Sequence, residues 1–291
     1  MALRFGVLPF NFQDFFMMVD EGKVDITKVN YIDLVKVSLE DKNIEHFEIT
    51  GDLLYVLPGL LSSDVITQLE EFKSAENYTC SVHLPLWSTE LACPNSHIRK
   101  ASIECLIEAI ELTKELDPEV WVVHATGALI SEFTRGTFPD FVKVVMEAQF
   151  ASEAQNSLEQ ILDQTNIPSR KLAVENVEFP FRTMDECLES LDLSVCLDTG
   201  HVLAGYSGDW ENGVVEFFET YKDRIIELHL HDGRKPRIDH KALGQFDLPV
   251  KDLFHCLIKN NFSGPIVYEL TIDEVKESMA FIETNIPDVL Q

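Results

Sequence analysis

The strongest constraint on this chain's fold is an alternation along its length. Eight short runs rich in β-branched and aromatic residues, RFGVLPF (4–10), HFEIT (46–50), TCSVHLPL (79–86), VWVVHA (120–125), KLAVENV (171–177), LSVCLDT (193–199), IIELHLHD (225–232) and PIVYEL (265–270), are separated by longer segments. Those segments, among them SSDVITQLEEFKSAE, HIRKASIECLIEAIELTKEL, GTFPDFVKVVMEAQFASEAQNSLEQILDQT and WENGVVEFFETYKDR, carry apolar residues at helical spacing, with Ser, Asp or Asn near their starts. Strands alternating with helices pair in parallel through right-handed crossovers. Eight such units predict closure into a barrel, since open doubly wound sheets more often stop at about five to seven strands and carry a glycine-rich phosphate turn. GxGxxG and GxxxxGK[ST] are both absent. A chain of 291 residues suits one barrel, and no Pro/Gly/Ser linker or low-complexity tract divides it. The expectation is an α/β protein, a single (β/α)8 (TIM) barrel domain over 1–291.

Charge and composition narrow the partners. The formal net charge of −27, from 23 Lys+Arg against 50 Asp+Glu, repels a phosphate backbone, so nucleic-acid binding is disfavoured. The apolar N-terminal stretch is interrupted by Asn11, Gln13 and Asp14 and lacks a small-residue cleavage site, and no segment has the roughly 18–20 apolar residues of a membrane span. A cytoplasmic protein with no membrane partner is expected. The six cysteines form no CxxC pair, which suits buried reduced thiols.

Histidines and acids gather at one level of the expected barrel. His83, His124, Glu175, Asp198 with His201, His229 with His231, and Glu269 all fall at or near the ends of runs three to eight, and His240 follows in the next loop. Strand C-termini of such a barrel open onto one face where catalytic groups converge. In CLDTGH, Gly200 would let His201 swing back toward the cavity Asp198 faces. Imidazoles mixed with carboxylates are ligands for Zn²⁺, Mn²⁺ or Fe²⁺ rather than for an all-oxygen Ca²⁺ cage. A metal site is expected.

CLDTGH, HLHD and DHKALG, with the strand-end His, His, Glu and Glu, resemble the endonuclease IV and xylose-isomerase-like barrel superfamily over nearly the whole chain. The resemblance implies that His83 and His124 hold a first ion, bridged by Glu175 to a second, which Asp198, His229 and Glu269 complete. His201 and His240 would bind a third. The family's aspartate for that ion is replaced by Ile238, leaving Asp239 or Asp232 as substitutes. VHLPL, LAVENVEFPF and DHKALG look closest to cobamide-remodelling phosphodiesterases. That likeness implies a zinc-dependent hydrolase of a small phosphorylated or cobamide-type substrate, with two or three ions activating water. The same superfamily offers an alternative, a sugar (phosphate) isomerase or epimerase. It needs one divalent ion, Mn²⁺ or Mg²⁺, on Glu175, Asp198, His229 and Glu269, with the two glutamates as catalytic acid and base. His83 and His124 favour the hydrolase, because a one-ion isomerase does not need both.

Substrate contacts are expected from Arg234, Lys235 and Arg237 in the loop DGRKPRIDH, which could receive an anionic group, with Arg182 a weaker candidate. His231 is read as facing substrate or supporting a ligand, and Trp87 as stacking on a flat ligand. Phe10, Phe12, Phe15 and Phe16 pack in the core or wall the pocket. Glu178, Asp232 and Asp239 could orient ligand imidazoles. His97 is read as a surface or capping residue, and His46 and His255 are given no role.

Overall fold

The computed structural model describes residues 3–11, 29–41, 43–177, 179–208, 210–211 and 213–290. Each expected run forms a strand. In chain order the strands are β1 (Arg4–Val7), β2 (Ile44–Thr50), β3 (Thr79–His83), β4 (Trp121–Val123), β5 (Leu172–Glu175), β6 (Ser194–Asp198), β7 (Ile225–His229), β8 (Asp232–Arg234), β9 (Ile238–Lys241) and β10 (Pro265–Tyr268). Eight of them close a barrel in the order β1-β10-β7-β6-β5-β4-β3-β2, and every adjacent pair runs parallel. The helical segments fold as Ser63–Glu76, Ser96–Thr113, Asp140–Thr165 and Gly213–Tyr221. Among the described residues no helix is long and apolar enough to cross a membrane.

Strand periodicity divides the barrel into an outer and an inner layer, because residues two apart share a face. On β2, Phe47 and Ile49 are fully buried in the large core that includes Leu69, Ile110, Leu158, Phe217, Phe254 and Ile282 of the surrounding helices. Each such side chain contributes roughly 1.5–3 kcal/mol by leaving water. The intervening His46 and Glu48 point inward, where they meet Ser81 of β3. A second, smaller cluster of Val120, Val122, Ala173 and Cys196 fills the β4–β6 side of the interior. Room for the His46 ring comes from Gly6 on β1: a Cβ there would lie 2.9 Å from His46 Cδ2.

The segment DGRKPRIDH, expected as a loop, is instead an antiparallel hairpin of β8 and β9. Asp232 organises its base. Its Oδ1 accepts the backbone N–H groups of Gly233 and Leu248, and its Oδ2 those of Gly244 and Phe246, at 2.8–3.0 Å. A carboxylate with four N–H partners is anchored, so Asp232 is corrected from a candidate metal ligand or imidazole partner to a loop organiser. Phe12, Phe15, Phe16 and Glu178 lie outside the described residues.

Candidate metal centre

The parallel barrel brings six strand ends to one rim. Glu175 is the hub, buried at 2% exposure. Its Oε2 lies 3.1 Å from His83 Nε2, 2.9 Å from His124 Nε2 and 3.7 Å from His229 Nδ1, while Oε1 lies 3.2 Å from His201 Nδ1. His229 Nδ1 also lies 3.4 Å from Glu269 Oε1 and 4.0 Å from Asp198 Oδ2. Ligand atoms of Glu175, Asp198, His229 and Glu269 all lie within 4.8 Å of one another, as do those of His83, His124 and Glu175.

The hydrogen-bond pattern fits a cation. His83 Nδ1 is 3.0 Å from the Leu84 carbonyl, which can only accept, so Nδ1 carries the proton and Nε2 of the neutral ring turns a lone pair toward Glu175. Two acceptors at that distance need a positive charge between them or a proton on the ring. Nδ1 of both His201 and His229 is buried without a hydrogen-bond partner, although carboxylates surround them. Without an ion, protons take its place. Burial lowers the His83 and His201 values, but Glu175 beside His83, and Asp198 and Glu175 beside His201, push both up to about 9. His229 is raised well above its usual value in the same way, against burial. Burial alone would raise Glu175, but His124 and His229 hold its carboxyl well below the carboxylate range. Burial also opposes ionisation of Glu269, and His229 and His240 overcome it. These residues can hold a divalent ion by displacing those protons.

Asp198 is both a helix cap and a rim residue. Its Oδ1 accepts the His201 backbone N–H at 2.6 Å and starts the helix Thr199–Ala204, while the Asn176 side chain bonds both its N–H and its carbonyl. Gly200 sits inside that helix rather than in a turn. Its constraint is contact: a Cβ there would lie 2.1 Å from His231 Cε1 and Nδ1. His231 is fully buried, with Nε2 on Asp198 Oδ2 at 2.8 Å and Nδ1 accepting the His240 N–H at 2.8 Å. Both its nitrogens are engaged, so of its two expected places it takes the one behind a ligand: it braces Asp198 rather than facing substrate. His240 stacks on His231 with ring centroids 4.2 Å apart and lies 3.5 Å from Glu269. Asp239, 3.4 Å from the other nitrogen of His240, is held at about 2 by that imidazole despite partial burial. Ile238 is on the hairpin.

Above the rim lies a hollow of about 220 Å³ lined by Leu8, Phe10, Asn11, Thr50, Asp52, His83, Leu86, Trp87, His240 and Glu269. Phe10 packs in the core, the first of its two expected places, and also borders this hollow, with the exposed Trp87 beside it. Asp52 accepts the backbone N–H groups of Leu86 and Trp87 and so sets that wall. Among the described residues no Arg or Lys lines the hollow. Arg234 lies over the Phe246 ring, Arg237 over the Tyr206 ring and Lys235 against Gly205, all on the hairpin, which corrects the expectation that they receive an anion at the mouth. Arg182 covers Trp210 and pairs with Glu216. His97 and His255 are exposed.

Four buried residues had no place in the sequence reading. His46, Glu48, Ser81 and Glu227 are wholly buried inside the barrel below His229. Burial, then the neighbouring Glu48, pushes the Glu227 carboxyl well above its ordinary range. Strand parity could have found them: Glu227 and Ser81 stand two residues before His229 and His83, and so share their faces.

The sequence pattern of the xylose isomerase-like TIM barrel family matches residues 40–285. The uncharacterized protein MJ1311 of Methanocaldococcus jannaschii is 27% identical over 221 residues, covering 72% of this chain and 70% of its own. A D-tagatose 3-epimerase-like protein superposes with a TM-score of 0.68 at 21% identity, covering 97% of this chain and 96% of its own. D-psicose 3-epimerase from Clostridium cellulolyticum H10 superposes with a TM-score of 0.64 at 16% identity, covering 99% and 100%. Several of the solved structures that share this architecture are sugar epimerases, and the phosphodiesterase expectation is corrected on that finding.

Proposed function

The chain belongs to the xylose isomerase-like TIM barrel family, and from that premise we propose that it is a divalent-metal-dependent isomerase or epimerase of a small sugar. The observation that carries this reading is the convergence of Glu175, Asp198, His229 and Glu269 at the barrel mouth. A divalent ion held by these four would polarise a ketose carbonyl and its neighbouring hydroxyl, acidifying the hydrogen on the carbon between them. Glu269, which lines the hollow, takes that proton as a carboxylate. Glu175, across the rim, returns one to the same or the adjacent carbon, drawing it from the His83 or His201 ring beside it. His231 and the helix start at Asp198 keep the Asp198 carboxylate fixed. Trp87, Phe10 and Leu86 give the sugar an apolar wall and exclude water from one side. With no Arg or Lys in the described lining, a neutral ketose fits better than a sugar phosphate.

His83 and His124 need a role under this reading. Both address the same oxygen of Glu175, so they orient the acid–base carboxylate and can take a second ion with it. The test is proton exchange. Metal-stripped protein reloaded with Mn²⁺ is incubated with a panel of neutral ketoses in D₂O, and after chelation of the metal the recovered sugars are read by NMR. Deuterium should enter at the carbon beside the carbonyl only when the ion is supplied. A panel left fully protonated by the loaded protein would remove the proposal.

A further inference from the structure

Beneath the rim, on the barrel axis, a line of side chains connects the N-terminal end of the barrel to His229. Arg4 Nη2 is 2.6 Å from Thr79 Oγ1, Thr79 Oγ1 is 2.8 Å from His46 Nδ1, His46 Nε2 is 2.9 Å from Ser81 Oγ, and Ser81 Oγ is 2.8 Å from Glu227 Oε1. Above Ser81, Glu48 Oε2 lies 3.2 Å from the same hydroxyl and 3.4 Å from His229 Nε2.

Counting protons fixes their direction. A guanidinium only donates, so Thr79 accepts from Arg4 and its own hydrogen is left for His46 Nδ1. Burial, and then the Arg4 charge, keep His46 neutral, so its one proton sits on Nε2 and goes to Ser81. Ser81 Oγ lies nearer Glu227 than Glu48 by 0.4 Å. On its other side Glu48 Oε2 faces the ring of His229, with Nε2 3.4 Å away.

Building on the metal role proposed for His229, we infer that Glu48 is a positioning residue: it holds the ring proton of His229 on Nε2 and so presents a bare Nδ1 to the ion. The pull from the other side is strong, because Glu175, Asp198 and Glu269 all approach Nδ1 within 4.0 Å. An ion that takes Nδ1 leaves the ring's remaining proton on Nε2, and without an acceptor below that proton is stranded in the buried interior. The column running down to Arg4 matters because it anchors the Ser81 hydroxyl, and through it Glu48, beneath His229. A carboxylate behind a metal-bound imidazole raises the ligand's basicity and fixes its orientation, and losing one commonly lowers metal affinity about 10- to 100-fold.

Two measurements on the full chain test this. In ¹⁵N-histidine-labelled wild type loaded with Zn²⁺, long-range ¹H–¹⁵N spectra should show His229 protonated at Nε2 and bound through Nδ1; a proton on Nδ1 would overturn the inference. Competition with a chromophoric chelator should show Zn²⁺ affinity about 10- to 100-fold weaker in Glu48→Leu. Glu48→Gln, which retains an acceptor oxygen, should recover most of it. A purely structural role predicts the reverse, a lowered melting temperature with unchanged affinity, and that result also overturns the inference. Should Glu48→Leu fail to fold, the wild-type spectrum and Glu48→Gln decide. Wild type that binds no Zn²⁺ or Mn²⁺ at all would instead remove the proposed function, whereas tight binding unchanged in Glu48→Leu removes this inference alone.

Discussion

The two sides of the barrel interior are built by opposite rules. On the β4–β6 side Val120, Val122, Ala173 and Cys196 pack as a small dry cluster. On the β2, β3 and β7 side His46, Glu48, Ser81 and Glu227 occupy comparable depth and are just as inaccessible, yet every one is polar. Buried polar groups destabilise a fold unless they are hydrogen-bonded. The dry side therefore answers to volume alone, and the polar side to the placement of each proton. That contrast separates a wall that serves stability from one that also supports chemistry at the rim.

The largest effect is expected above both walls. Glu269→Gln keeps the shape of the side chain but removes the proton acceptor that faces the hollow, and ketose turnover should fall about 10²- to 10⁴-fold. A variant that retained wild-type kcat would move the base elsewhere.

The charge state of the rim comes next. With His83 and His201 up to about 9 in the metal-free protein, an ion must expel their protons where it takes those nitrogens. Metal affinity should then fall steadily as pH drops below about 9, with protons released on binding. Calorimetry in buffers of different ionisation enthalpy counts them. For the metal-free fold the sign is opposite. A histidine raised above its unfolded value of about 6.5 stabilises fully below that pH, and the contribution is lost as pH rises through about 9. The melting temperature of stripped protein should decline over that window, while metal-loaded protein should not follow it.

A pair of core substitutions sharpens the contrast between the walls. Val122→Ala leaves a cavity on the dry side and should lower stability by about 2 kcal/mol, with metal affinity unchanged. Ser81→Ala strands His46 Nε2 and Glu227 Oε1, each a buried group worth about 1–3 kcal/mol when unsatisfied. It should lower stability and weaken metal binding together. Denaturant titration beside chelator competition reads both, and equal behaviour of the two variants would erase the distinction drawn here.

The scaffold was readable because strand and helix periods leave strong traces: all eight barrel strands lay within or across the expected runs. The rim was readable because His83, His124, Glu175, Asp198, His229 and Glu269 end those strands. What lay below it was hidden, since His46 looks like any isolated histidine and Glu48 like a surface acid until closure of the barrel turns their face inward. Composition also misled at the hairpin. Arg234, Lys235 and Arg237 form a basic run in an acidic chain, but Asp232 ties the hairpin base so that its tip packs on Tyr206 and Phe246. Likewise Gly200 signalled a constraint, and only the His231 ring beside it showed that the constraint was space.

The ion itself is the point on which the chemistry turns. Anomalous diffraction from crystals of Mn²⁺-loaded protein locates it directly. The account predicts a peak bounded by Glu175, Asp198, His229 and Glu269; a map with no peak among these four residues contradicts it.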